Sequence, residues 1–221
     1  MDDLLQKIDR LNEIGIALSA ESNTQKLLEI IMMGAKQLTN ADGGSLYFLK
    51  DGLLTFEIIS NDSLDKQMGG TSGSAITFPA IPIKINGQDN HGNVVSHCVL
   101  TEKSVNISDA YDEDGFDFTG TRNFDIDTGY RTMSILTIPL KDHEKETIGV
   151  LQLINARSPD SETVIPFSPI DQQLAESLAS QAAVALTQRR LITELQVLFE
   201  SFIKMIASAI DDKSPYTRWS L

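Results

Sequence analysis

Apolar residues in the first forty positions recur at steps of three and four. Leu4, Ile8, Leu11 and Leu18, with Gly15 filling the missing step, form one stripe of an amphipathic helix. A polar break, Ser19 to Asn23, precedes a second such run through Leu27, Leu28, Ile31, Ala35 and Leu38. Asn40-Ala41-Asp42-Gly43-Gly44 reads as its glycine-rich stop. The period then shortens to two. Ser45–Leu49 and Leu53–Ile59 predict two strands around the Asp51-Gly52 turn. Residues 61–77, rich in Gly, Ser, Asn and Asp, read as loop, and the proline-broken 78–83 as an edge strand. A short helix is predicted from Asn93 to Leu100 and a brief strand over Val105–Ile107. Asp109 to Asp127 is an acidic stretch with Phe116, Phe118 and Phe124 interspersed. Thr132–Leu140 and Thr147–Asn155 predict two strands joined by a charged turn. One helix then runs from Ser168 to about Asp211, with Ser168 as cap, Pro169 in the first turn and Asp171 at the positive end. At 1.5 Å per residue it spans about 60 Å.

That helix predicts a partner. Leu191, Leu195, Leu198, Phe202, Met205 and Ala209 alternate by four and three, beside a second stripe of Ile192, Phe199, Ile203, Ile206 and Ile210. The two together are wider than a two-stranded seam and suit a bundle, such as two copies each of this helix and the N-terminal one. A homodimer through the terminal helices is expected, with Ile170–Leu186 packing on its own domain.

Composition narrows the function. The chain has 221 residues, 41% of them hydrophobic, and a net charge of −13. Such a field opposes nucleic acid and anionic membrane surfaces as partners. The one cysteine, Cys98, excludes an internal disulfide. The acidic N-terminus and the lack of a long apolar run predict a cytoplasmic protein. Three histidines, His91, His97 and His143, fall on loop, helix and turn without a ligand-spaced pair. Gly69–Gly73 reads as a flexible loop, not a phosphate cradle. Asp125 and Asp127, in loop, are expected to diverge. No catalytic residues and no metal site are predicted. Gln152 is different: it shares a strand face with Ile148, Val150 and Ile154, so it must find hydrogen-bond partners there or meet a small polar ligand. Thr132 and Ser134 are placed likewise on the preceding strand.

In this order, the strands at 45–59 and 132–155, the run Asp125-Ile126-Asp127-Thr128-Gly129-Tyr130-Arg131-Thr132, the strand Ile148 to Asn155 and the terminal helix resemble a GAF domain over roughly residues 20–190. The resemblance implies an α+β fold: a central antiparallel sheet of about six strands flanked by helices, with long N- and C-terminal helices. It also implies a ligand-sensing role in signalling. The nearest subset resembles the GAF domains of cyclic-nucleotide phosphodiesterases and their bacterial relatives. Asn155, Phe167 and Asp171 match that subset's signature, while its lysine is Ala156 here and its glutamate Gln172, so the signature's Lys–Asp ion pair cannot form. By resemblance the pocket residues are Ser45, Val94, Val95, Asp125, Thr128, Thr132 and Gln152. The ligand implied is a cyclic nucleotide or another small heterocycle, any phosphate meeting helix-end amides near Asn93. On this expectation Thr132→Ala weakens binding but hardly changes the fold. Ala209 to Thr217 resembles the entry to an HD-GYP domain, a metal-dependent phosphodiesterase module for cyclic di-GMP whose metal motifs this chain does not contain. The implied organisation is a dimerisation helix (1–20), a GAF sensory domain (21–190), a signalling helix (191–211) and the start of an HD-GYP domain (212–221). Leu191, Leu195, Leu198, Phe202 and Met205 would form the dimer interface.

Overall fold

The computed structural model describes residues 2–212. Its elements are α1 (Asp2–Ala20), α2 (Thr24–Thr39), β1 (Ala41–Lys50), β2 (Leu53–Asn61), β3 (Lys66–Gly69), β4 (Ile81–Pro82), β5 (Lys84–Ile85), β6 (Gln88–Asp89), α3 (Val94–Thr101), β7 (Val105–Ile107), α4 (Thr119–Thr128), β8 (Ile135–Lys141), β9 (Thr147–Arg157), β10 (Val164–Ile165) and α5 (Pro169–Asp212). Most of the HD-GYP-like stretch lies outside the described residues. The chain divides into two units, Met1–Ala185 and Leu186–Leu221.

The first unit is built on an antiparallel sheet in the order β3-β2-β1-β9-β8-β7, with β4 added on β2 and β10 on β9. The expected α+β architecture is therefore present, with two short strands beyond the six. Side-chain alternation sorts the faces. Gly44 of β1 faces α2: a Cβ there would stand 2.9 Å from Met32 Sδ and 2.8 Å from the Gln152 carbonyl. Tyr47, on the other face, packs with Leu54 and Val150 beneath Val95, Cys98 and Val99 of α3. α1 leans on α2 where Ile14 meets Gly34, and its Lys7 reaches Asp171 at the start of α5. On α5 the buried positions up to Ala183 include Leu174, Ala175, Leu178, Ala179 and Ala182, and the run of alanines lets the helix sit close.

Local chemistry fixes the boundaries. The Asn23 side chain caps α2 by accepting from Lys26 N, and Asn40 ends it in the left-handed region at φ 52°. Gly43 and Gly44 are therefore not the helix stop expected of them; they belong to β1, where close approach excludes a side chain. The 61–77 loop contains β3, which pairs with β2. The acidic stretch contains α4, so Asp125 and Asp127 are helical. β8 begins at Ile135, leaving Thr132 and Ser134 in the approach to it. Ser168 and Asp171 cap α5 reciprocally: Asp171 N donates to Ser168 Oγ, and Ser168 N to Asp171 Oδ2, both at 3.1 Å.

In the second unit, α5 carries Leu191, Leu195, Leu198, Phe202 and Met205 at 45–67% exposure, along with exposed Ile192, Phe199, Ile203 and Ile206. Among the described residues no helix is long and apolar enough to cross a membrane.

Candidate functional site

The strand register places Ser45, Gln152 and Thr137 side by side on the α3 face of the sheet. Gln152 Nε2 donates to Thr137 Oγ1 at 3.1 Å, and Gln152 Oε1 accepts from the Tyr47 hydroxyl at 3.3 Å. Burial raises the Tyr47 pKa well above the ordinary phenol range, so the hydroxyl remains a donor. Ser45, Gln152 and Ile154 are only half-buried, whereas Leu46, Tyr47, Leu151 and Leu153 beside them are buried. From Tyr47 an aromatic row leads away: Phe56 at 4.4 Å between ring centroids, then Phe78 at 5.5 Å and Phe124 at 6.4 Å. Lys66 lies 5.4 Å from the Phe124 centroid. The result is a polar strip with an aromatic flank, suited to a flat ring with hydrogen-bonding edges. Phe56, Phe78 and Phe124 were not foreseen here, because they come from three distant segments with no shared period.

The other expected residues have structural partners. Val95 belongs to the Tyr47 cluster, whereas Val94 packs with Ile107, Ala110, Phe118 and Ile135. Asp125 is buried; its Oδ1 accepts from Thr132 Oγ1 at 2.9 Å, and its Oδ2 from Thr132 N at 2.8 Å and from the Tyr111 hydroxyl at 2.9 Å. That last bond raises the Tyr111 pKa above its ordinary value. Thr128 turns back to donate to the Phe124 carbonyl. The structure thus brings Asp125 to Thr132 and Ser45 to Gln152, and leaves Thr128 on its own helix. Asp127 is exposed and diverges from Asp125 as expected, although on a helix.

The expected anion site at the start of α3 is occupied from within, and so are the amides of the 69–73 loop, which was not expected to hold a phosphate. At the start of α3, Asn93 Oδ1 accepts from Val95 N and Ser96 N, so an incoming phosphate would have to displace it. In the 69–73 loop, Thr71 N and Oγ1 both donate to Glu29 of α2 at 2.6 Å.

Asn155 holds the approach to β8. At φ 55° its carboxamide donates to Tyr130 Oη and the Arg131 carbonyl and accepts from Met133 N. Tyr130 in turn donates to buried Asp42, which also pairs with Arg157. Phe167 is buried, and Asp171 pairs with Lys7. A separate groove of about 530 Å³ lies between α5 and the β8 edge, lined by Glu102, Ser104, Pro139, Lys141, Gln172 and Glu176 among others. None of the seven expected ligand residues touches it. Among the described residues no three His, Cys, Asp or Glu side chains gather as a metal site.

The GAF domain family model matches residues 23–186, most of the first unit. The chain belongs to the GAF domain family. GAF domains are regulatory, small-ligand-sensing modules of signalling proteins. The chain is 26% identical over 179 residues, 80% of its length, to the dual 3′,5′-cyclic-AMP and -GMP phosphodiesterase 11 of Drosophila melanogaster, of which the match spans 12%. It resembles the GAF domain of a phosphoenolpyruvate-protein phosphotransferase from Coxiella burnetii, with a TM-score of 0.64 and 14% identity over 86% of this chain and 98% of that one. It also resembles a GAF domain/HD domain protein from Geobacter sulfurreducens, with a TM-score of 0.51 and 13% identity over 79% and 98%. These two likenesses concern the fold.

Proposed function

We propose that this chain is the input module of a signalling protein, binding a small heterocycle over Gln152 and dimerising through its terminal helices. The observation that carries the reading is the polar strip of half-buried Ser45 and Gln152 with buried Thr137, beside the Tyr47–Phe56–Phe78–Phe124 row. A cyclic nucleotide suits this strip by its purine, and the phosphodiesterase relative supports that class. The module would act on an HD-GYP-type phosphohydrolase; the Ala209–Thr217 likeness supports this output, and a GAF fold joined to an HD domain exists in the Geobacter protein. Turnover would reside in that output domain and not in this chain. The dimer reading rests on the apolar residues left exposed along α5, since a contiguous apolar surface of that length favours association.

Native mass spectrometry of gently purified protein, followed by calorimetry against cyclic nucleotides and a metabolite panel, tests the ligand. The expected result is one small molecule per chain, bound at least about fivefold more weakly after Gln152→Ala, the scale of a lost hydrogen bond. No bound species and no calorimetric signal would overturn it. Sedimentation equilibrium should give twice the chain mass, and Leu195→Glu with Phe202→Glu should give a folded monomer. Incubation with cyclic di-GMP and manganese should give no hydrolysis.

A second reading, a ligand-free dimerisation scaffold, is favoured by one observation: Gln152 already has a partner at each end of its carboxamide. Dimerisation without any bound molecule would decide for it.

A further inference from the structure

His91 stands in the turn after β6 and His97 in the second turn of α3, yet their Nδ1 atoms are 3.2 Å apart. The rings are inclined at 68° with centroids 5.1 Å apart. An ion held tetrahedrally by two imidazoles at 2.0–2.1 Å separates the two nitrogens by about 3.3 Å. The observed spacing already matches that bite. In the ion-free protein one Nδ1–H donates to the other Nδ1; with both protons on Nε2, both Nδ1 lone pairs are free to accept an ion at that spacing.

We propose that His91 and His97 form a two-imidazole site for a divalent transition-metal ion of the zinc, nickel and copper class. Imidazole nitrogens select that class over magnesium and calcium, which take oxygen ligands. Both rings are held before any ion arrives. Phe116 meets His97 edge-on at 5.2 Å and 88° between planes. The His97 backbone is fixed in the helix: its N–H donates to the Asn93 carbonyl, and the His97 carbonyl accepts from Thr101 Oγ1. His91 N donates to the Asp89 carbonyl within the turn. Such prior ordering lowers the entropy lost on binding. His91 is exposed and His97 partly so, which leaves an entry path. No third His, Cys, Asp or Glu completes the set among the described residues, so water fills the remaining positions. The ion would join the 89–93 turn to α3, whose opposite side carries Val95 and Cys98 onto Tyr47. This site stands on its own geometry, independent of the heterocycle reading.

The test is calorimetric titration of the full chain, without an affinity tag, with zinc chloride and nickel chloride at neutral pH. One ion per chain should bind saturably below about 1 mM. His91→Ala and His97→Ala should each weaken it at least tenfold, while His143→Ala leaves it unchanged. Circular dichroism checks folding; should His97→Ala unfold, the exposed His91→Ala decides. Absence of saturable binding to the wild type, or wild-type affinity in His91→Ala, overturns the proposal.

Discussion

Lys7 of α1 donates to Asp171 Oδ1 of α5 at 2.9 Å, across 164 positions of sequence. In the phosphodiesterase-type signature a lysine at the place of Ala156 would serve that aspartate. Here Ala156 is buried, and the cation comes from the N-terminal helix instead. Lys7→Ala should destabilise the protein by about 1–2 kcal/mol, the lower range for a hydrogen bond to a charged group because both side chains keep some solvent. A double-mutant cycle with Asp171→Asn, read by urea denaturation, measures the pair itself; zero coupling would show that the contact is incidental.

Thr132→Ala is not the mild change that the sequence suggests. Its hydroxyl is buried and donates to buried Asp125, so the alanine leaves a carboxylate oxygen short of a donor. A loss of about 1–3 kcal/mol is expected. Thr132→Ser, which keeps the hydroxyl, should recover most of it, and thermal melts of the two variants make the comparison.

Alkaline pH should weaken the fold. Burial pushes the Cys98 thiol up to about 12 and raises Tyr47; burial and the bond to Asp42 raise Tyr130. In the unfolded chain these groups release protons from about pH 8.5 to 10. As pH rises through that range and beyond it, the unfolded state therefore binds fewer protons than the native one, and stability falls. Urea midpoints should be flat near neutrality and decline from about pH 9 upward. Native Cys98 should resist thiol reagents until urea is added.

Gly149→Ala should disrupt the centre of the sheet. A Cβ there would stand 2.2 Å from the Tyr47 carbonyl oxygen, a backbone atom that cannot rotate away. Overpacking of this kind costs about 1–3 kcal/mol or more. An unchanged denaturation midpoint would mean that β1 and β9 can separate there.

Much of the fold was legible because its signals are local. Periods of three to four and of two marked the longer helices and strands, and Asp51-Gly52 has the two positive φ values its turn requires. Asn86-Gly87 carries the same signal for the β5–β6 hairpin and was there to be read. α4 was not legible by hydrophobic pattern, since Asp125 is its one buried residue. Gly43 and Gly44 misled because glycine also marks close approach, and that depends on Met32 and on strand β9. At the candidate site the floor followed from alternation along β9. The aromatic flank and the His91–His97 meeting did not, because both arise only when segments distant in sequence or separated by a turn are folded together.

The way α4 is attached has a thermodynamic consequence. Of its ten residues only the Asp125 carboxylate is fully buried, and its main apolar contact is the half-buried Phe124 ring against Phe78. Detaching it would break the Tyr111 and Thr132 bonds to Asp125 while uncovering little apolar area beyond the Phe124 ring, so the heat-capacity change of that local event is small beside that of the core. Global unfolding carries the large change of a whole core. The opening of α4 should then vary monotonically with temperature while the stability of the sheet beneath it follows a dome. The two would converge toward the cold, where the hydrophobic contribution to the core declines and polar fastenings do not.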